Sequence, residues 1–422
     1  MRRDSGRFVA GLTRREFGGV AAASATALAL PGWARGATRG VGDPAQLRYA
    51  GEQSVPVALA GVARGEGDEA VVRAVRRAAL AATDFSWLSR GDTVLVKPVC
   101  NSGNPYPATT DPLALRAVVG LLREQGAGRV IVADMSGVQF LRFGPDRTRG
   151  STRQLMVQAG MAPAIEDSGA ELHAFEEAGW DGFFEQSPDV LGSWAGPVLL
   201  PGVLEEVDHV VLVPRCSRHL LAGSTLGLKA AVGWWRHDTR LEYHHDASTF
   251  SEKTADANRV PAVLSRQRLV LTSATKLLTT FGPDDGTVSE PETGLVLAST
   301  DVVAHDMVSL SWLLENRAAL PRAQREGPID DPNTSQAVVN VANRVVTGML
   351  GGFGAALSAE RLERYDLDTL WDDRILRRAF DVFGGVPRIE LVGANDGVPP
   401  AIAARLSAAV RLPRTDERGV FG

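Results

Sequence analysis

The chain has 422 residues, 44% apolar and 23% charged, with a net charge of −5. This is ordinary globular composition with room for more than one structural unit, and its acidic balance gives no support for nucleic-acid or membrane-surface binding. Two cysteines, Cys100 and Cys216, and no Cys-x-x-Cys argue against a cysteine-ligated iron–sulfur cluster within the chain.

The first predicted element is an export signal. In LTRREFGGVAAASATALALPGWARGA, paired Arg14-Arg15 precede Phe17 and a modestly apolar Gly/Ala-rich run, and Ala34, Gly36 and Ala37 offer a cleavage site. This resembles a bacterial twin-arginine (Tat) signal, which implies removal of residues 1–36, passage through the Tat translocase and a periplasmic or secreted mature protein. The run from Phe17 to Leu30 is short and weakly apolar against the ~20 residues of a membrane span, and no other stretch reads as one. The Tat route carries folded proteins, which suits a cofactor inserted before export.

A polar linker is expected over residues 37–54. VPVALA (55–60) reads as a strand, Val71 to Leu80 has helical spacing, and DTVLVKP (92–98) is a strand ending at Lys97-Pro98. TTDPLALRAVVGLLREQGAG is a punctuated helix: Thr110 or Asp111 caps it, Pro112 occupies its first turn, and Gly126 or Gly128 ends it. RVIVAD (129–134) is the next strand, STRQLMVQAG (151–160) a short capped helix and ELHAF (171–175) a strand, before an irregular acidic and aromatic segment to Pro201. A buried strand from Val210 gives way at once to Pro214, Arg215, Cys216, Ser217, Arg218 and His219. RLVLTSA (268–274) and GLVLAST (294–300) are further strands, and DVVAHDMVSLSWLLENR (301–317) is a helix starting at Asp301. Beyond it the chain reads as mostly helical, with one late strand at RIELVGA (388–394).

Short apolar strands between capped helices predict an α/β fold, a mostly parallel sheet with helices on both faces, plus a mainly helical C-terminal extension. The expected divisions are a signal (1–36), a linker (37–54), the α/β domain (55–315) and the extension (316–422). Ligands of such sheets bind beyond the carboxyl ends of the strands, where Lys97, Cys100, Asp134, Arg215, Cys216 and Asp301 all fall.

Three stretches, in order and spacing, resemble domain-of-unknown-function family 362. VLVKPVCNSGNPYPATTDPLALRAVVGLLREQGAGRVIVADMSG is similar to its N-terminal signature: a strand ending in Lys-x-Asn, a Thr-rich loop, a helix, and a strand ending in an acid or glycine. DHVVLVPRCSRHLLAGSTLGLKAAVGWW is similar to its Pro-Lys-x-Lys-x-His, Gly-x-Thr and Leu-Lys-Asn steps, and STDVVAHDMVSLSWL to its Asp-x-Val-Ala-x-Asp helix start. Arg215 and Ser217 stand where the family has lysines, Ala230 stands where it has asparagine, and the cysteine motifs of many relatives are missing. The resemblance implies a fold and a site and leaves the reaction open.

Lys97, Arg215, Arg218 and Lys229, with Arg236, form a basic group suited to a carboxylate or phosphate. Asn101 and Thr225 lie in loops that can add donors. The same cations can instead form structural pairs with Asp134, Asp301 and Asp306. Lys229 sits in the nearly apolar LGLKAAVGWW, where desolvation lowers an ammonium's pKa and turns it into a nucleophile or proton carrier. Lys229, His219 and Asp306 are therefore the candidate catalytic groups, and Lys97, Asn101, Arg215, Arg218, Thr225 and Asp301 the candidate holders of a cofactor or anion. Asp301 also reads as a plain helix cap.

Four of the seven histidines lie between 219 and 245, and His237, His244 and His245 belong to RHDTRLEYHHDAST, which reads as an exposed polar loop. The spacing His219…Lys229…His245 resembles that of the nickel-pincer lactate racemases, in which a lysine tethers the cofactor and histidines bind metal or move protons. That resemblance implies His245 as a metal ligand and a metal ion or organometallic cofactor, although no histidine follows VIVAD here. Cys100 and Cys216 each follow a strand, and on neighbouring strands they can form a disulfide, a pair of thiolate ligands or redox groups, or two buried thiols. The function expected is an exported family-362 enzyme acting on a small anion by redox or isomerisation with a metal or preloaded cofactor. The alternatives are a periplasmic anion-, metal- or cofactor-binding protein and a scaffold or assembly factor.

Overall fold

The inner strands of the central sheet carry near-continuous apolar runs because both of their faces are covered. The computed structural model describes residues 47–413 apart from 191, 283 and 326–334, together with a strand pair at Arg7–Phe8 and Leu12–Thr13. The twin arginines and apolar run of the expected export signal lie outside the described residues.

The chain begins with β1 (Tyr49–Ala63), α1 (Asp68–Ala82), β2 (Thr93–Pro98), α2 (Pro112–Glu124), β3 (Arg129–Asp134), α3 (Thr152–Gln158), α4 (Met161–Asp167) and β4 (Glu171–Ala174). The segment read as irregular holds an antiparallel hairpin, β5 (Phe183–Gln186) with β6 (Val198–Pro201). Then follow β7 (His209–Val213), β8 (Ser217–His219), β9 (Gly223–Thr225), a 3-10 turn at Leu228–Trp234, α5 (His237–His245) and α6 (Phe250–Asp256). The remainder is β10 (Gln267–Ala274), β11 (Leu277–Leu278), β12 (Val288–Ser289), β13 (Thr293–Ser299), α7 (Val302–Ala318), α8 (Gln336–Ser358), α9 (Arg374–Val382), β14 (Val386–Gly393) and α10 (Pro400–Ala409).

Eight strands form the central sheet in the order β14-β1-β13-β10-β7-β2-β3-β4. Only β13 runs against its neighbours, so the sheet is mostly parallel. Side chains alternate across it with the period of two that extended backbone imposes. Val94, Val96, Val130, Val132, Val211 and Val213 enter the core beneath α1–α4. Leu95, Ile131, Val210 and Leu212 enter the opposite core, which α7 and the C-terminal elements fill. The late strand β14 joins the same sheet beside β1, and α9 packs on α6, so the C-terminal region shares the sheet and core with everything before it. No helix among the described residues is long and apolar enough to cross a membrane.

A smaller sheet, in the order β9-β8-β11-β12, stands beyond the carboxyl ends of β7 and β10. It fixes the loop after β11. At Gly282 the backbone adopts a φ of +46°, and a Cβ would come within 1.7 Å of the carbonyl oxygen of Arg218, so the loop lies flush against β8 only because this residue is glycine.

Asp111 caps α2 by accepting from the N–H of Leu113 at 3.0 Å, and its other oxygen accepts from Ser273 Oγ at 2.7 Å. Asp301 caps α7 through the N–H of Ala304 at 2.8 Å. Replacing Asp111 with alanine removes a cap and a tie to β10 together. A loss of about 1–3 kcal/mol is expected from the urea midpoint at constant m-value.

Candidate functional site

The site starts at a buried ion pair. Lys97, at the end of β2, is 1% exposed and its Nζ lies 2.7 Å from Asp134 Oδ1 at the end of β3. It also donates to the carbonyl of Pro98 at 2.9 Å and lies over the ring of Trp234. Burial pushes the pKa of Lys97 down and the Asp134 carboxylate opposes that push. The other oxygen of Asp134 accepts from the N–H of Cys100 at 2.7 Å, which fixes the loop carrying Asn101. Gly233 closes over the pair: a Cβ there would meet Asp134 Oδ1 at 2.3 Å and Lys97 Nζ at 2.4 Å.

Above this floor lies a cavity of about 120 Å3, joined through shared lining residues to a smaller void of about 40 Å3 that reaches Lys97 and Asp134. Lys229, half-buried on the 3-10 turn, lines both. Its ammonium has no hydrogen-bond or ion-pair partner among the described residues. Burial, with the charges of Arg215, Arg240 and Lys97, lowers its pKa from 10.5 to about 7. The turn itself is held firmly. Asp306 accepts from the N–H groups of Gly227 and Leu228 at 2.8 and 2.7 Å, and Asn258 donates to the carbonyl of Leu228 at 3.0 Å.

His219 stands on the same cavity wall. Its Nδ1 accepts from the N–H groups of Leu221 and Ala222 at 3.0 and 3.2 Å, which leaves Nε2 to carry the proton. Burial and the Lys229 and Arg215 charges hold its pKa well below the usual range, so it is a neutral donor. Arg240 directs its guanidinium at carbonyls, those of Trp235 at 2.9 Å and Met135 at 2.8 Å among them, so no carboxylate hydrogen bond offsets its charge. Arg215 is 1% exposed, and burial lowers its pKa to about 10 against the pull of Asp284.

Asp284, Arg240 and His244 were not among the expected site residues. Asp284 reaches the cavity from the loop after β11, where Asn101 Nδ2 donates to it at 3.2 Å and burial raises its pKa. The stretch read as an exposed loop is instead α5, with His237 and Arg240 buried and His244 against Phe250. The polarity that suggested a loop serves the cavity. His244 Nδ1 is 2.9 Å from Asn343 Oδ1, and its carbonyl accepts from Asn343 Nδ2 at 2.8 Å. Asn343 lies on α8, which roofs the cavity with Ala342, Val346, Met349 and Leu350. Leu220, Val232, Tyr243, Phe250 and Phe281 complete an apolar wall.

The other expected residues distribute unevenly. Asn101, Arg215 and Thr225 line the joined voids, and Thr225 Oγ1 has no hydrogen-bond partner among the described residues. Arg218 is buried in β8 and lines neither void. Asp306 is buried with His305 Nδ1 at 2.8 Å and acts on the backbone of the Lys229 turn. Asp301 is a helix cap outside the cavity. His245 bonds Asp246 at 2.6 Å and Ser358 at 2.9 Å, away from the cavity lining. Among the described residues, no three His, Cys, Asp or Glu side chains come together to hold a metal ion, so the donor set implied for His245 is not assembled. Cys100 and Cys216 are free buried thiols. Their strands are neighbours, but Cys100 packs in the core beneath α1–α4 and Cys216 in the opposite one, where its Sγ lies 3.5 Å from the carbonyl of Ser309. The sheet between them prevents a disulfide.

A family model described as Domain of unknown function (DUF362) matches residues 94–311, just over half of the chain. No curated protein matches it. Among solved structures, the lactate racemase apoprotein from Thermoanaerobacterium thermosaccharolyticum is similar at 12% identity and a TM-score of 0.35, over 52% of this chain and 50% of that one. A protein from Thermotoga maritima is similar at 12% identity and a TM-score of 0.30, over 50% of this chain and 51% of that one. The chain thus spans about half the length of each of these solved structures.

The lowered pKa of Lys229 makes stability depend on pH. Below about pH 7 folded and unfolded chains both hold the proton, and the buried charge weakens the fold fully. From about 7 to 10.5 the unfolded chain retains a proton that the folded one has shed, so this group's contribution to stability rises with pH. Lys229→Met should raise the melting temperature at pH 6 by about 5 °C and flatten this rise, as read by thermal unfolding from pH 6 to 10.

Proposed function

The chain belongs to the family described as Domain of unknown function (DUF362), and on that premise we propose that it is an exported enzyme that takes a small organic anion with an apolar body into the cavity beneath α8 and acts on it through Lys229. The observation that carries the reading is the ammonium of Lys229, which faces a ligand-sized space without a partner among the described residues. Lys97, Arg215, Lys229 and Arg240 line the joined voids with Asp134, Asp284 and Asp285, and Lys97 already pairs with Asp134. An ammonium at Lys229 without a partner among the described residues favours an anion in a partly dry space. Asn101 and the Nε2–H of His219 can complete its hydrogen bonds. The apolar wall matches a hydrocarbon portion, and a volume of about 120 Å3 admits roughly four water-sized groups.

An amine that is close to half neutral at pH 7, beside a neutral histidine donor, suits proton transfer or bond formation at carbon, which makes isomerisation the better supported of the two expected reaction types. A protein that only held an anion would be better served at position 229 by arginine, which stays charged; this favours catalysis over simple binding. Export by the Tat route belongs to the same proposal and rests on Arg14-Arg15 and the Gly/Ala run that follows them.

Calorimetric titration with monocarboxylates of increasing apolar length tests the site. Affinity should grow with the apolar tail and decline as pH rises through about 7, where Lys229 loses its proton. Lys229→Met should weaken binding by roughly 10- to 100-fold. Affinity indifferent to both changes would overturn the reading. For export, Arg14→Lys combined with Arg15→Lys should leave the precursor in the cytoplasm of a Tat-competent bacterium, as seen by fractionation; unimpaired export would remove that part of the proposal.

A further inference from the structure

We infer that Lys229 is a covalent site, whose amine condenses with the carbonyl group of a small carbonyl-bearing carboxylate to form an imine. The inference rests on the anion site proposed above and names the substrate class of that site. Its first support is the use of lysine in this chain. Of 45 basic residues only four are lysine. Three of these have carboxylate partners: Lys97 with Asp134, Lys253 with Glu242 and Asp246, and Lys276 with Glu290. Lys229 is the fourth, and it alone has no such partner among the described residues and lines the cavity. Arginine supplies positive charge almost everywhere else in the chain. What arginine cannot supply is an amine that sheds its proton near neutrality and attacks carbon.

The second support is rigidity. The turn bearing Lys229 is tied at its start by Asp306 and at its end by the close seat of Gly233 on the Lys97–Asp134 pair. A nucleophile on so fixed a backbone meets a bound carbonyl with little loss of freedom. The third is the company it keeps: Arg215 and Arg240 supply the field for the carboxylate, and Asp284, on the same wall, is a carboxyl able to carry a proton.

The step balances without an oxidant or reductant. The lone pair of neutral Nζ forms a C–N bond, and the carbonyl π electrons move to oxygen. That oxygen takes the proton released by nitrogen, relayed by the Asp284 carboxyl. The remaining nitrogen lone pair then forms C=N as the C–O bond breaks, and the departing hydroxyl takes a second proton, from the Asp284 carboxyl, so that it leaves as water and Asp284 is left as a carboxylate. The protonated imine thereby gains one positive charge beside the substrate carboxylate and draws electrons from the adjacent carbon, which connects this adduct to the proton transfer proposed above.

The test uses the full wild-type chain with glyoxylate and cyanoborohydride at pH 7, followed by peptide mapping of all four lysines. The expected result is a carboxymethyl group on Lys229, acquired at least ~10-fold faster than on exposed Lys276, because burial lowers the Lys229 pKa to about 7 and the cavity holds the carboxylate beside it. Glycolate, the same anion without a carbonyl, should protect Lys229, and Lys229→Arg should lose the label. Faster labelling of Lys276, or an unlabelled Lys229 in protein that still binds glycolate by calorimetry, overturns the imine and leaves the anion site standing. Equal labelling of Lys229 by formaldehyde and glyoxylate without glycolate protection overturns the carboxylate specificity and the anion site with it.

Discussion

The pairing of Lys97 with Asp134 governs the rest of the site. It ties the ends of two adjacent parallel strands, and the second oxygen of Asp134 orients the loop that carries Asn101. It also leaves room for no side chain at residue 233, which seats the turn that presents Lys229. A buried pair of this kind is weak evidence of added stability, because desolvating two charges takes back much of their attraction. Its contribution here is positional: it defines where the cavity floor lies and which backbone can approach it.

From that floor outward the site runs against the usual preference for dispersed charge. Arg215, Lys229 and Arg240 line one joined space together with Lys97, Asp134, Asp284 and Asp285. The result is visible in their shared direction of shift: burial lowers all three, and the neighbouring cations lower Lys229 further. His219 and His244 are held neutral by the same surroundings. Local discord of this sort, within a fold whose strands, caps and cores otherwise agree with one another, is characteristic of a place kept for chemistry.

Much of this could be read from residue order. The strands announced themselves by apolar runs, the caps Asp111 and Asp301 by type and position, and Lys229 by its apolar setting. The strand-end rule brought Lys97, Asp134 and Arg215 to one region. What escaped depended on contacts distant in sequence. Asp284 lies in a turn-like PDDG and enters the cavity only because the small sheet folds its loop back over β8. Arg240 and His244 were hidden by the polarity of their stretch, which looks the same whether polar groups face water or line a pocket. Of the three readings open for the thiols, two buried free thiols is the one found: neighbouring strands imply proximity of backbone, whereas the face taken by each side chain is decided a few residues beyond the strand.

The two halves of the pocket come from separate lengths of chain. The floor, from Lys97 to Lys229, falls within the span shared with the family, whereas the roof on α8 begins 25 residues after that span ends. The helix is also interrupted at Gly352, where the backbone leaves helical geometry, and beyond it Phe353 and Leu357 are exposed. On the function proposed above, the groups that would act on a ligand and the roof that would help select it come from separate segments, the roof joined to α5 through Asn343. Grafting a different roof onto the same floor is a route by which one chemistry could be redirected to new molecules.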